Sequence, residues 1–111
     1  ARENRLTSAE AFRSTMRSGA KHPTAHTVVY LKRVESNSAR FGFVVSKAVG
    51  SAVTRNLVKR RLREIARTHL ANLDAVDIVV RALDNASEAS FDELRVELDS
   101  AISSLMKRQA R

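Results

Sequence analysis

From Lys47 to Arg67 the chain reads KAVGSAVTRNLVKRRLREIAR. Seven of these 21 residues are basic and only Glu64 is acidic, so the segment carries +6 of the chain's formal +8. With 3.6 residues per turn, Val58, Leu62, Ile65, Ala66 and His69 fall on one arc, which predicts a face turned toward a core. Asn56, Lys59, Arg60, Arg63 and Arg67 fall on an adjoining arc, with Arg55 near the border at the first turn and Arg61 on the opposite flank. The pattern predicts an amphipathic helix from about Ala52 to His69, fed by the loop Val49-Gly50-Ser51. A solvated helix face mixes signs to gain pairs at i,i+4, and this stripe does not. Asn56 is also a mediocre helix former. An acid-poor row of guanidinium and ammonium groups is the footprint of a polyanion site, because such forks bind phosphate bidentately. Composition and periodicity do not separate RNA from DNA.

The segments on either side of this helix set the fold class. Upstream, Thr27–Val34 is β-branched, with Val28, Tyr30 and Lys32 on one face and Val29, Leu31 and Arg33 on the other. Glu35-Ser36-Asn37-Ser38 reads as a polar turn, and Arg40–Ser46 as the second strand of a hairpin. Gly42 within that strand predicts either a bulge or the close approach of another group. Further upstream, Thr7-Ser8-Ala9-Glu10 fits a capping box that starts a helix, and Gly19 ends it; Phe12 and Met16 share one of its faces. Gly19–Ala25, with the single proline Pro23, reads as a turn or a short irregular edge strand. Downstream, Asp77–Arg81 is a short buried strand. Ser90-Phe91-Asp92-Glu93 is a second capping box, followed by Phe91, Leu94, Leu98, Ala101, Ile102 and Leu105 at helical spacing to about Arg108. Helix, hairpin, helix, strand, helix predicts an α+β two-layer domain.

Composition narrows the function classes. The chain has 111 residues, 43% apolar and 29% charged, which suits one globular domain. Cysteine is absent, so disulfides, thiolate metal sites and cysteine nucleophiles are excluded. No apolar run approaches the length of a membrane span, and ARENRLTSAEAF lacks a signal-peptide core, which predicts a cytoplasmic protein. A pI of about 11.0 favours a nucleic acid over an acidic protein or an anionic membrane surface.

The residues Lys47, Gly50-Ser51-Ala52-Val53, Arg55-Asn56, Lys59-Arg60 and Arg63 resemble the signature of the bacterial ribonuclease P protein component: a Lys, a Gly-x-Ala-Val turn, then Arg-Asn-x-x-Lys-Arg-x-x-Arg. Asn4-Arg5-Leu6, Glu10-Ala11-Phe12, Gly19, Val28-Val29-Tyr30 and Arg40–Lys47 extend the similarity over nearly the whole chain. The resemblance implies a single RNA-binding domain over residues 1–111. Its fold would be a small four-stranded mixed sheet with three helices, in the order αβββαβα, with an extra strand near Ala20–His22 and a left-handed βαβ crossover. Composition and pattern alone favour the right-handed connection.

The resemblance also implies a function. The protein would be the non-catalytic subunit of an endoribonuclease, binding the catalytic RNA and the 5′ leader of precursor tRNA while the RNA hydrolyses the phosphodiester. Lys47, Arg55, Asn56, Lys59, Arg60, Arg63 and Arg67 would meet the catalytic RNA. Phe12, Met16, Tyr30, Lys59, Arg60 and Arg63 would line a cleft for the leader. Aromatic platforms plus a basic track are what single strands require. Without the resemblance, Phe12 and Met16 read as a hydrophobic face packed into the core; Met16 also stands where the family often has an aromatic, so stacking there would be weaker. Mg²⁺ would be needed by the RNA, with no cofactor held by the protein and no obligate protein partner.

No catalyst is legible in the chain itself. His22, His26 and His69 show no ligand spacing with Asp or Glu, and His69 falls on the apolar arc. Asp74 and Asp77 have no third carboxylate near them in sequence, and no Gly-rich phosphate loop is present. The alternatives are a ribosomal or DNA-binding protein using the same helix, and a stand-alone metal nuclease, which the missing ligand cluster weakens.

Overall fold

A computed structural model describes residues 2–109. The helices are α1 (Ala9–Ser18), α2 (Ala52–Arg67) and α3 (Phe91–Gln109); the strands are β1 (Ala20–Pro23), β2 (Thr27–Arg33), β3 (Arg40–Val44) and β4 (Val76–Ala82). The chain order is therefore αβββαβα, and the four strands form one mixed sheet in the order β1-β2-β4-β3. β2 pairs antiparallel with both β1 and β4, whereas β3 and β4 run parallel, joined by α2 as the crossover.

β2 and β3 are consequently not the hairpin that their spacing suggests. β4 lies between them, because Val76–Val80 is buried on both faces and belongs at the centre of the sheet. The connection over residues 34–39 steps across the start of β4, and Val34 N–H donates to Ala75 O at 3.0 Å on the way. Two strand spacings of about 4.8 Å are well within reach of six residues.

Alternation along β2 and β4 feeds two separate cores. Val29, Leu31, Val76, Ile78 and Val80 pack with Val58, Leu62 and Ile65 of α2 and with Leu94, Leu98 and Leu105 of α3. Val28, Tyr30 and Val79 face the other way, against Leu6 and the α1 residues Ala11, Phe12 and Met16. The two-layer expectation describes the sheet with α2 and α3; α1 lies on the opposite face over the smaller cluster.

Local signals fix the helix ends. Ser90 and Glu93 form the capping box as expected, Ser90 Oγ accepting from Glu93 N–H at 3.0 Å and Glu93 Oε1 from Ser90 N–H at 2.8 Å. α2 is capped by Ser51 Oγ, which accepts from Thr54 N–H. α1 starts one residue later than expected: Ser8, not Thr7, is the N-cap, and Glu10 pairs with Arg13 instead of closing a box. The cause is upstream, where Leu6 N–H donates to Phe41 O at 2.9 Å and keeps the chain extended along β3 before it can turn. Phe91, counted on the apolar arc of α3, is 40% exposed, since it occupies the first helical position ahead of the buried face.

Two interactions pin the α1 side of the sheet. Asp77 is 2% exposed and accepts two hydrogen bonds from Arg40, from Nε and from the guanidinium terminus, both at 2.8 Å. These bonds push the Arg40 guanidinium above its ordinary pKa, outweighing the burial that opposes its charge. Gly42 answers to close approach and not to a bulge: a Cβ there would stand 2.4 Å from Phe12 Cζ. Gly42→Ala should therefore displace Phe12 and lower stability by about 1–3 kcal/mol in urea unfolding. Adding Phe12→Leu should recover part of that loss, and strictly additive effects would show that the two residues do not share the space.

Candidate nucleic-acid interface

The interface grows from the crossover. α2 packs Val58, Leu62, Ile65 and Ala66 into the main core, which turns Asn56, Arg60, Arg63 and Arg67 outward. Within that row charge is almost uncompensated. Arg67 pairs with Glu64 at 3.1 Å, both side chains well exposed, a contact worth little in water. Arg61, on the opposite flank as its arc predicts, donates to Ala89 O at 3.2 Å. Arg55, Lys59, Arg60 and Arg63 have no hydrogen-bond or ion-pair partner among the described residues. Arg55 is the extreme case: its Nε is buried without any acceptor.

Below the row a cavity of about 590 Å³ straddles the free edge of β3. Lys59, Arg63, Ala66 and Arg67 of α2 and Leu70 beyond it line one side. Leu6, Phe12 and the strand residues Phe41, Gly42 and Phe43 line the other, and Asn4 and Arg5 complete it. Arg5 continues the sheet by a parallel bridge to Phe41, and Asn4 Nδ2 donates to Ala39 O at 2.8 Å, so the N-terminal segment is tied to β3. The Phe41 and Phe43 rings stack with centroids 6.2 Å apart and planes at 11°.

The residues expected at the site are thus distributed over three places. Phe12, Lys59, Arg63 and Arg67 meet at the cavity. Lys47, Arg55 and Asn56 stand beyond it, on the 3-10 turn Lys47–Val49 and the first turns of α2, and Arg60 points to solvent off its walls. Met16 and Tyr30 pack in the smaller cluster, outside the cavity lining; Tyr30 is 8% exposed and is a core residue, not a free platform. Asn4, Arg5, Phe41 and Phe43 belong to the stretches that carry the resemblance but were not expected at the site. The alternation Phe41-Gly42-Phe43 was the available signal for the aromatic pair.

The histidines serve other ends. His26 Nδ1 meets Glu97 Oε2 at 2.7 Å and His69 Nε2 meets Asp99 Oδ1 at 2.7 Å, both ties to α3. Among the described residues no group of three or more His, Asp or Glu side chains is placed to hold a metal ion. No helix among them is long and apolar enough to cross a membrane.

The geometry has counterparts. The chain is similar to the "RNase P protein" of Staphylococcus aureus, with a TM-score of 0.83 and 29% identity, covering 90% of this chain and 93% of that one. The Thermotoga maritima RNase P protein gives a TM-score of 0.76 at 28% identity, covering 93% and 96%. In sequence it is 44% identical to the "Ribonuclease P protein component" of Kocuria rhizophila over 96% of both chains. It is 43% identical to that of Pseudarthrobacter chlorophenolicus, over 99% of this chain and 82% of that one. A family model described as Ribonuclease P matches residues 1–106. The motif, the fold and these matches agree, and the chain belongs to the ribonuclease P protein family.

Proposed function

We propose that this chain is the protein component of ribonuclease P, binding a catalytic RNA and the 5′ leader of precursor tRNA so that the RNA removes the leader. The observation that carries this reading is the run of Arg55, Lys59, Arg60 and Arg63 without partners among the described residues, set above a cavity with aromatic and apolar walls. Cations left unpaired on a rigid helix are preorganised for phosphates, and none must first break an internal ion pair. Lys47, Arg55, Asn56 and Arg60, outside the cavity, are available to the catalytic RNA. Lys59, Arg63 and Phe12, within it, suit a single strand that enters beside that RNA, and Met16 adds a half-buried contact.

The protein's own contribution is electrostatic and positional. It lowers repulsion between two polyanions and favours precursor over mature tRNA, since only the precursor has a leader to hold. Hydrolysis is assigned to the RNA subunit with Mg²⁺, which the protein does not ligate in this reading. The partners are then ribonuclease P RNA and precursor tRNA, without a membrane and without an obligate protein, in the cytoplasm.

Added to the catalytic RNA at low Mg²⁺, the protein should accelerate cleavage of precursor tRNA. An unchanged rate, or tighter binding to duplex DNA or ribosomal RNA at equal salt, would point to a general nucleic-acid-binding protein instead. Cleavage by the purified protein free of RNA would revive a protein nuclease. Arg60→Ala combined with Arg63→Ala should weaken RNA binding and flatten the plot of log affinity against log salt by about one unit per lost phosphate contact. A slope that does not move would remove both residues from the interface.

A further inference from the structure

Residues 11–34 contain no Asp or Glu, and they carry Arg13, Arg17, Lys21, Lys32 and Arg33. Residues 100–109 are also free of acids, with Lys107 and Arg108 near their end. The fold brings these two stretches together at β1, the outer strand on the side of the sheet away from β3. Arg108, in the last turn of α3, donates to Lys21 O at 2.9 Å. Lys21 pairs with Tyr30, so its side chain projects to the face that carries α1. Arg17, in the last turn of α1, precedes Lys21 by four residues, a reach of at most about 14 Å along the chain. Cations from α1, β1 and α3 thus meet at one corner of the molecule.

Elsewhere in the two stretches charge is engaged internally. Arg13 pairs with Glu10, and Lys32 donates to Ser14. Glu97 of α3 comes next to the turn between β1 and β2, where Thr24 and His26 occupy its carboxylate. Arg17, Lys21 and Lys107 are exposed and have no hydrogen-bond or ion-pair partner among the described residues. Arg108 is exposed too, with one N–H spent on Lys21 O. Helix ends account for part of this, since a cation in the last turn complements the helix dipole, and a lysine on an edge strand discourages pairing with another chain. Neither role requires that acids be kept out of both stretches. Four cations gathered without a counter-charge repel one another, and a polyanion relieves that repulsion. None of the four carries a ring on which a base could stack, which suits the backbone of a duplex better than a single strand.

We propose that Arg17, Lys21, Lys107 and Arg108 form a second RNA-binding surface, which holds the phosphate backbone of a double-helical segment of the catalytic RNA. This rests on the reading that the chain is the protein component of ribonuclease P, and it adds a contact separate from α2 and from the cavity. β1 and β3 are the two outer strands of one sheet, three strand spacings or about 14 Å apart. The α2 row and the β1 corner therefore address different segments, and the protein braces one against the other. The catalytic RNA is the partner because the substrate must leave after each cleavage. A cationic corner that gripped the tRNA body would hold mature tRNA as firmly as precursor and slow its release.

The test measures binding to the catalytic RNA by wild type, by Lys21→Gln combined with Lys107→Gln, and by Arg60→Ala combined with Arg63→Ala. The glutamine variant should bind on the order of tenfold more weakly, with the plot of log affinity against log salt flattened by about one unit per lost phosphate contact. Its melting temperature as free protein should hold. Hydroxyl-radical footprinting should show lost protection at a duplex segment other than the one that the α2 variant uncovers. Unchanged affinity and slope, or lost protection confined to the α2 variant's segment, overturns the second surface and leaves the α2 reading intact. Weaker binding of precursor and mature tRNA alike, by a holoenzyme whose protein and RNA associate as before, overturns it too, since the corner then meets the substrate. A clear drop in melting temperature for the glutamine variant would make the two lysines structural and has the same consequence. If wild type neither binds the catalytic RNA nor accelerates its cleavage of precursor tRNA, the underlying reading fails, and the second surface fails with it.

Discussion

Burial of β4 on both faces, between β2 and β3, is the constraint from which the rest of the molecule follows. Val76, Ile78 and Val80 require a helical layer on one side and Val79 an apolar cover on the other, so α2 and α3 take one face and α1 the opposite one. A parallel neighbour joined by α2 fills one flank of β4, which sends β3 to the edge of the sheet. That edge is where the cavity forms. It is closed only in part, by the bridge between Arg5 and Phe41, and the cationic side of α2 lies directly across from it.

Charge is arranged on the same logic. Where Arg40 meets Asp77 the pair is internal and fixes the register of β3 against β4. Breaking such a buried pair costs more than the pair contributes, because the carboxylate would be left without a partner. Along α2 the opposite arrangement holds, with Arg55, Lys59, Arg60 and Arg63 held at fixed spacing by the buried arc and without an acid among the described residues. One helix thus has both duties: its apolar arc supports the main core, and that anchoring holds the cations of its polar arc at fixed spacing.

Much of this was legible in the chain. The two arcs of α2 and the capping box at Ser90 and Glu93 follow from short-range rules, and the structure agrees with both. At Gly19–Ala25 and at Gly42 the sequence left two readings each, and the structure selects an edge strand at Ala20–Pro23 and close approach at Gly42. What failed was pairing. Thr27–Val34 and Arg40–Ser46, separated by a polar turn, satisfy every local criterion for a hairpin. Only competition with a more apolar strand more than thirty residues downstream separates them. The shift of the α1 cap from Thr7 to Ser8 has a similar origin, since the Leu6 bond to Phe41 is a tertiary contact with no trace in the cap itself.

The sequence by itself determined the helical period, the acid-poor stripe, the residues able to bind phosphate and the family, because these depend on spacings within one segment. Tertiary structure decided which of them share a surface. It gathered Phe12, Lys59, Arg63 and Arg67 with Asn4, Arg5, Phe41 and Phe43, which were not expected at the site, and it buried Tyr30 in the smaller core. The physical reason is that local sterics and amphipathicity fix where a side chain points within its own element. Which elements become neighbours is settled by the most favourable burial of the whole chain, and the decisive terms there, such as the position of β4, join residues far apart in sequence.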